Sequence, residues 1–196
     1  MNKRHLLLPV LLLISALALA ACGSSGSSDE SQIEEAIEKS ATSTDPAACT
    51  EFGTQSFLEQ STQESGQAAV KRCEKEAGEP QTHAESVEVT EVEVEGEEAT
   101  ADAAISGGSF DGQTLEVALT KEEGQWKLNE LTGFAKLDTA KLAEAFEKEF
   151  TKSGEISESL SSCIVEGIEE SSQSEIEELI LSGSPEGFEE LAKECS

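Results

Sequence analysis

Few residues in this chain are of types that could carry chemistry. It holds five cysteines, Cys22, Cys49, Cys73, Cys163 and Cys195, and no tyrosine; of its two histidines only His83 lies outside the first twenty residues. A general base needs a partner within hydrogen-bond reach and a proton to take. His83 stands in a polar stretch between Glu79 and Glu85, ahead of the first strand-like segment, and reads as a surface side chain. Asp102 falls inside a strand-like segment, and its neighbours put it on a solvent face. No Cys-x-x-Cys, His-Glu-x-x-His, Walker loop or Gly-x-Ser-x-Gly is present. Asp111-Gly112 lacks the spaced acids of a calcium-binding loop. The Glu-rich stretches 91–98, 166–170 and 186–194 read as solvated faces, able at most to hold divalent ions loosely. The expectation is a chain with no catalytic residue, no cofactor and no metal site.

Cys22 belongs to a different pattern. Lys3, Arg4 and His5 form a basic start, and Leu6 to Ala20 is apolar apart from Pro9 and Ser15. That apolar stretch is about fifteen residues, short of the roughly twenty that a membrane-spanning helix needs. With small residues following it, the segment describes an export signal over residues 1–21. Leu19-Ala20-Ala21-Cys22 resembles the lipobox of bacterial lipoproteins. The resemblance implies that the Cys22 thiol receives a diacylglyceryl group and that the chain is cut just before it. Without it, the segment is an ordinary secretory signal with an incidental cysteine. Residues 22–28 then form the lipidated cysteine and a Gly/Ser tether. A doubly acylated cysteine holds a protein stably on a membrane where one chain would be marginal. The implied location is the extracytoplasmic face of the cell membrane.

Removal of residues 1–21 takes away two basic residues and no acid, leaving 11 basic against 41 acidic residues and a net charge of −30. Such a surface repels nucleic acid and anionic headgroups. It suits a solvated outside environment, and it could attract a basic envelope protein. Aromatics are sparse, with seven Phe and one Trp, so the core must be built from Ala, Val, Leu and Ile. Cys49, Cys73, Cys163 and Cys195 are an even set in an oxidising compartment and are better used as disulfides than as nucleophiles. Four cysteines permit three pairings. Their positions form two local pairs on either side of a strand-rich middle, which favours Cys49–Cys73 and Cys163–Cys195. In the loop-entropy model each bond is worth roughly 3–4 kcal/mol.

These residues must be positioned by three runs of elements. Ser31 to Glu34 reads as a capping box opening a helix with Ile33, Ala36 and Ile37 on one face. Asp45-Pro46 starts a short helix through Cys49 and Phe52 that Gly53 ends, Phe57 and Leu58 read as buried, and a third helix is expected from about Ser61 to Ala77. Val87, Val89, Val92 and Val94 alternate with polar residues, with a slip that a bulge at Thr90-Glu91 would explain. Turns at Glu95-Gly96, Gly107-Gly108 and Lys121 to Gly124 separate strands over 98–106, 115–119 and 125–131, an antiparallel meander. Helices follow: one over about 138–152 carrying Leu142, Phe146 and Phe150; a second carrying Ile156, Leu160, Cys163, Ile164 and Ile168; a third opened by a capping box at Ser174 to Glu177; and a last one from Ser184-Pro185 with Phe188, Leu191 and Cys195.

Helices followed by a four-stranded meander is the order of the SnoaL-like superfamily, also called nuclear transport factor 2-like, of cystatin-like α+β folds. Lys121-Glu122-Glu123-Gly124-Gln125-Trp126-Lys127-Leu128 looks like the last hairpin of small envelope lipoproteins of that superfamily, and the Cys49–Cys73 spacing is similar to that of actinobacterial members. The resemblance covers roughly residues 29–134. It implies N-terminal helices packed on a curved four-stranded antiparallel sheet over 29–136, followed by a disulfide-clipped helical region over 137–196. It also implies a space between sheet and helices. Enzymes of the superfamily line that space with Asp, Tyr and His, which this chain scarcely possesses. The function expected is a non-catalytic binding or interaction module for a small apolar ligand, a peptide or an envelope protein. The alternatives are an enzyme of the ketosteroid-isomerase type and a structural envelope spacer. If Cys22 carries the anchor, Cys22→Ser should lose fatty-acid label and leave the membrane fraction. A parent protein that takes up no label would contradict the lipobox reading.

Overall fold

The computed structural model describes residues 28–79, 83–153, 157–182, 193 and 195. The expected export signal, Cys22, most of the expected tether, Ile156 and the expected last helix with Phe188 and Leu191 lie outside the described residues, as does the side chain of Phe150. The chain is α+β: among the described residues, seven helices and one four-stranded antiparallel sheet.

Helix α1 is Asp29–Thr42. Its cap is Ser28, whose hydroxyl accepts from the Ser31 N–H, and not the Ser31 to Glu34 box expected from the sequence. With Asp29 and Glu30 then in the first turn, acids sit at the positive end of the helix dipole. Asp45 Oδ1 accepts from Ala47 N, and the turn it forms leads into α2, Ala48–Phe52, which Gly53 ends. A side chain at position 53 would meet the Cys49 carbonyl at 2.9 Å, so glycine lets the backbone pass there. The expected third helix is instead two. Helix α3 spans Gln55–Thr62, capped by Thr54, and α4 spans Gln67–Glu76. Gln63 and Gly66 between them have positive φ, which a continuous helix cannot accommodate. Glu59 Oε1 fixes this corner by accepting from Gly66 N and Gln55 Nε2, each at 2.8 Å. The Cys49–Cys73 disulfide joins α2 to α4.

The sheet runs in the order β1-β2-β3-β4: Ser86–Glu95, Glu98–Ser106, Thr114–Glu122 and Gln125–Lys136. The bulge falls where the valine parity slips, between Thr90 and Glu93, with Glu91 at φ 51°. One face carries the core, in cross-strand rows such as Val89–Ala103–Leu115–Phe134 and Ala99–Leu119–Leu128. Strand β4 continues five residues beyond the expected Leu131. It pairs with β3 through three irregularities that skip Asn129, Thr132 and Ala135, so its apolar residues fall at 126, 128, 131 and 134 and the alternation is lost. Bulges bend the strand that carries them. Helix α1 lies against both edge strands, β1 and β4, so the sheet curls around it.

The outer edge of β4 is covered by side chains. Thr54 N donates to Leu128 O at 2.8 Å. The Gln60 amide then mimics a neighbouring strand: its Nε2 donates to Leu131 O at 2.9 Å and its Oε1 accepts from Leu131 N at 2.8 Å. Further along, Gln173 Nε2 donates to Phe134 O at 2.7 Å and Glu177 Oε1 accepts from Phe134 N at 3.2 Å. Gln173 opens α7, Gln173–Leu181, which follows α5, Thr139–Ser153, and α6, Glu158–Glu170. The capping box of α7 is Ser172 with Glu175, two residues before the one expected, which frees Glu177 for this edge. Leu142, Ala143, Ile164, Ile168, Ile176 and Leu179 bury themselves in the same core as Ile33, Ile37 and the inner face of the sheet. Cys163 and Cys195 are joined. No helix among the described residues is long and apolar enough to cross a membrane.

At the far end of α1, Asp29 Oδ1 accepts from Lys121 Nζ and from Trp126 Nε1, the latter at 2.9 Å, and the Lys121 ammonium lies 5.3 Å from the Trp126 ring. These bonds, Lys121 first and Trp126 second, hold the Asp29 carboxyl below the usual carboxylate range. Glu59 is lowered in the same way, by Gly66 N and then Gln55, and Glu175 by Ser172. A carboxyl whose folded pKa is depressed contributes stability above its unfolded pKa, and that contribution is lost as the pH falls through the folded value. Asp29→Asn should therefore be less stable than the parent at neutral pH, with the difference closing below about pH 4, the unfolded aspartate range. Urea unfolding of both proteins across that range measures this. A difference that stays constant down to about pH 3 would contradict a role for the Asp29 charge.

Candidate functional site

The cavity between the helices and the inner face of the sheet is the strongest candidate site. Its floor is Ala103 and Ile105 of β2, Leu115 and Val117 of β3 and Leu128 of β4; Ile37 of α1 and Leu58 of α3 close over it. All seven are buried. The volume is about 420 Å³, within the roughly 300–1,000 Å³ common for small-molecule sites. The inward positions of β2 are Ala99, Ala101, Ala103 and Ile105, and at Ala103 the floor carries a methyl group where a larger side chain would fill part of the space. The Cys49–Cys73 disulfide forms part of the wall.

One group of less buried wall residues lies around the C-terminal end of α1, apart from Ser61 and Thr62 of α3 and Leu131 of β4. Ser40, Ala41, Ser43 and Asp45 follow along the last turn of α1 and the turn after it; Glu76 ends α4; His83 precedes β1; Ser109 and Phe110 sit in the β2–β3 connection. That connection is held by a second glutamine, Gln113, which is buried. Gln113 Oε1 accepts from Asp138 N at 2.7 Å and its Nε2 donates to Asp138 O at 3.1 Å, locking the turn to the start of α5. Phe110 and Phe134 pack at 6.4 Å, tilted by 52°, an arrangement aromatic pairs favour.

His83 is not the free surface side chain expected from the sequence. It is half-buried and lines the cavity, and its Nε2 donates to Ala77 O at 3.1 Å. The segment before β1 folds back so that Ala84 N donates to Ala41 O at 3.0 Å, which brings the histidine against the end of α4. Nothing local in the sequence signals this; only the pairing of two distant segments does it. Asp102 lies on the opposite face of β2, between the inward-facing Ala101 and Ala103, so His83 and Asp102 are on different sides of the sheet. The other acids in the wall are engaged locally. Glu76 Oε1 accepts from Arg72 Nε, and Asp45 Oδ1 from Ala47 N. The four disulfide-forming cysteines occupy the helical parts on either side of the sheet, while Cys22 lies outside the described residues. Among the described residues no group of three or more His, Cys, Asp and Glu side chains is arranged to hold a metal ion.

Comparison of the chain with protein families, with curated proteins and with solved structures finds no match.

Proposed function

We propose that this protein is a lipid-anchored extracytoplasmic lipoprotein whose SnoaL-like domain holds a small apolar ligand, without catalysis, in the cavity between sheet and helices. The observation that carries the reading is the apolar floor of that cavity, formed by Ala103, Ile105, Leu115, Val117 and Leu128 and roofed by Ile37 and Leu58. A recess of that kind, with a few polar groups at its margin, is the usual form of a small-molecule site. The lipoprotein part rests on the lipobox resemblance at Cys22. The SnoaL-like part rests on the element order and on a sheet that curls around α1. The second reading, an enzyme of the ketosteroid-isomerase type, has His83 in the wall in its favour. Against it, the Nε2 hydrogen of His83 is committed to Ala77 O and Asp102 faces the other way.

Binding can be read with the mature chain carrying Cys22→Ser and the uncharged fluorophore N-phenylnaphthylamine. Saturable binding at one site is expected. Ala41→Phe places a ring where a half-buried methyl now lines the cavity; it should weaken binding about tenfold or more, while shifting stability by no more than roughly 1 kcal/mol. Absence of saturable binding, or equal binding by Ala41→Phe, would overturn the proposal.

A further inference from the structure

The charges around the cavity point to the kind of ligand it would take. Three titratable side chains reach its wall, Asp45, Glu76 and His83, and among the described lining residues there is no lysine or arginine. The Arg72 guanidinium offsets Glu76 from outside the cavity. Asp45 is different: its Oδ1 accepts from the neutral Ala47 N–H, so its charge is held in place by a hydrogen bond and is not cancelled by a cation. A carbonyl oxygen can only accept, so the His83 bond to Ala77 O uses the Nε2 hydrogen. A carboxylate-headed amphiphile would meet no cation here and would approach a chain of formal charge −28.

We propose that the cavity selects a hydrophobic amine, an apolar body with an ammonium group that lies beside Asp45, and discriminates against fatty-acid-like anions. This rests on the cavity being a ligand site, and deepens that reading by naming the ligand class. The apolar body would occupy the space over Ala103 and Val117. The head would remain at the less buried end, where it keeps part of its hydration and avoids the cost of burying a charge.

The test displaces N-phenylnaphthylamine from the mature Cys22→Ser chain with decylammonium, decanol and decanoate, all below their aggregation concentrations. Decylammonium should bind at least about tenfold more tightly than decanoate, and the ratio should shrink as salt is raised. Asp45→Asn, which keeps an oxygen to accept from Ala47 N, should close most of that gap. Glu88→Gln, an exposed acid on β1 outside the cavity wall, should leave the gap in place. If the fluorophore and decanol bind but the three heads bind alike, or decanoate binds best, the selectivity is wrong while the cavity reading stands. If Glu88→Gln closes the gap as far as Asp45→Asn does, the diffuse surface charge is responsible and the assignment to Asp45 is overturned. If neither the fluorophore nor decanol binds, the cavity reading fails and this inference falls with it.

Discussion

The inner face of β2 sets the character of this molecule. A curved sheet that wraps a helix needs side chains long enough to reach across the gap in its middle. Here the middle offers Ala99, Ala101 and Ala103. Helix α1 is supported at both edges of the sheet, by β1 and β4, and Ile33 and Ile37 supply the contact the alanines cannot. Interiors normally pack to crystal-like density, and unfilled space costs stability roughly in proportion to its volume. A space of about 420 Å³ beneath a helix is therefore a costly feature for a chain whose core is already short of aromatics. The function proposed above gives that cost a reason.

What holds the space open is a frame around it. Two glutamine side chains act as short pieces of strand, Gln60 on Leu131 and Gln113 on Asp138, each giving and receiving one bond to the same residue. Gln60 also donates to Leu181 O at 2.9 Å, so the N-terminal helices and α7 meet along β4. The Cys49–Cys73 bond fixes the wall formed by α2 and α4. Such bonds satisfy backbone groups that a bent edge strand would otherwise leave without partners, and burying those groups unpaired would cost about 1–3 kcal/mol each. The exposed acidic surface contributes little to this frame; apart from Asp29 with Lys121, its ion pairs among the described residues are Arg72–Glu76 within one helix and Lys127–Glu122 across the hairpin.

Much of the sheet was legible because period-two patterning and positive-φ turn residues are local signals. Gly96, Gly107 and Gly124 fall at the turns they mark, and the valine slip marks the β1 bulge. Legibility ended where several residues compete for one role or where a distant segment decides. Serine-rich approaches offered more than one helix cap, and the chain uses Ser28 and Ser172 rather than Ser31 and Ser174. Three bulges hid the second half of β4, because each shifts the face of every residue after it. Gln60 and Gln113 looked like ordinary polar residues, since their partners are 71 and 25 positions away. The place of His83 in the cavity wall depends on the pairing of Ala84 with Ala41, which no window of sequence contains.

The central claim is that the sheet and the helices over it leave an apolar space that a ligand can enter. Side-chain methyl NMR of residues 22–196 under xenon pressure tests it most directly, because xenon enters apolar cavities and leaves well-filled cores alone. The account predicts saturable shifts confined to methyls facing the space, those of Ile37, Ala103, Val117 and Leu128, with Val94, exposed on β1, unmoved. Linear shifts spread over surface methyls, with none that saturates at those four residues, would show that the sheet and helices close on each other in solution and would contradict it.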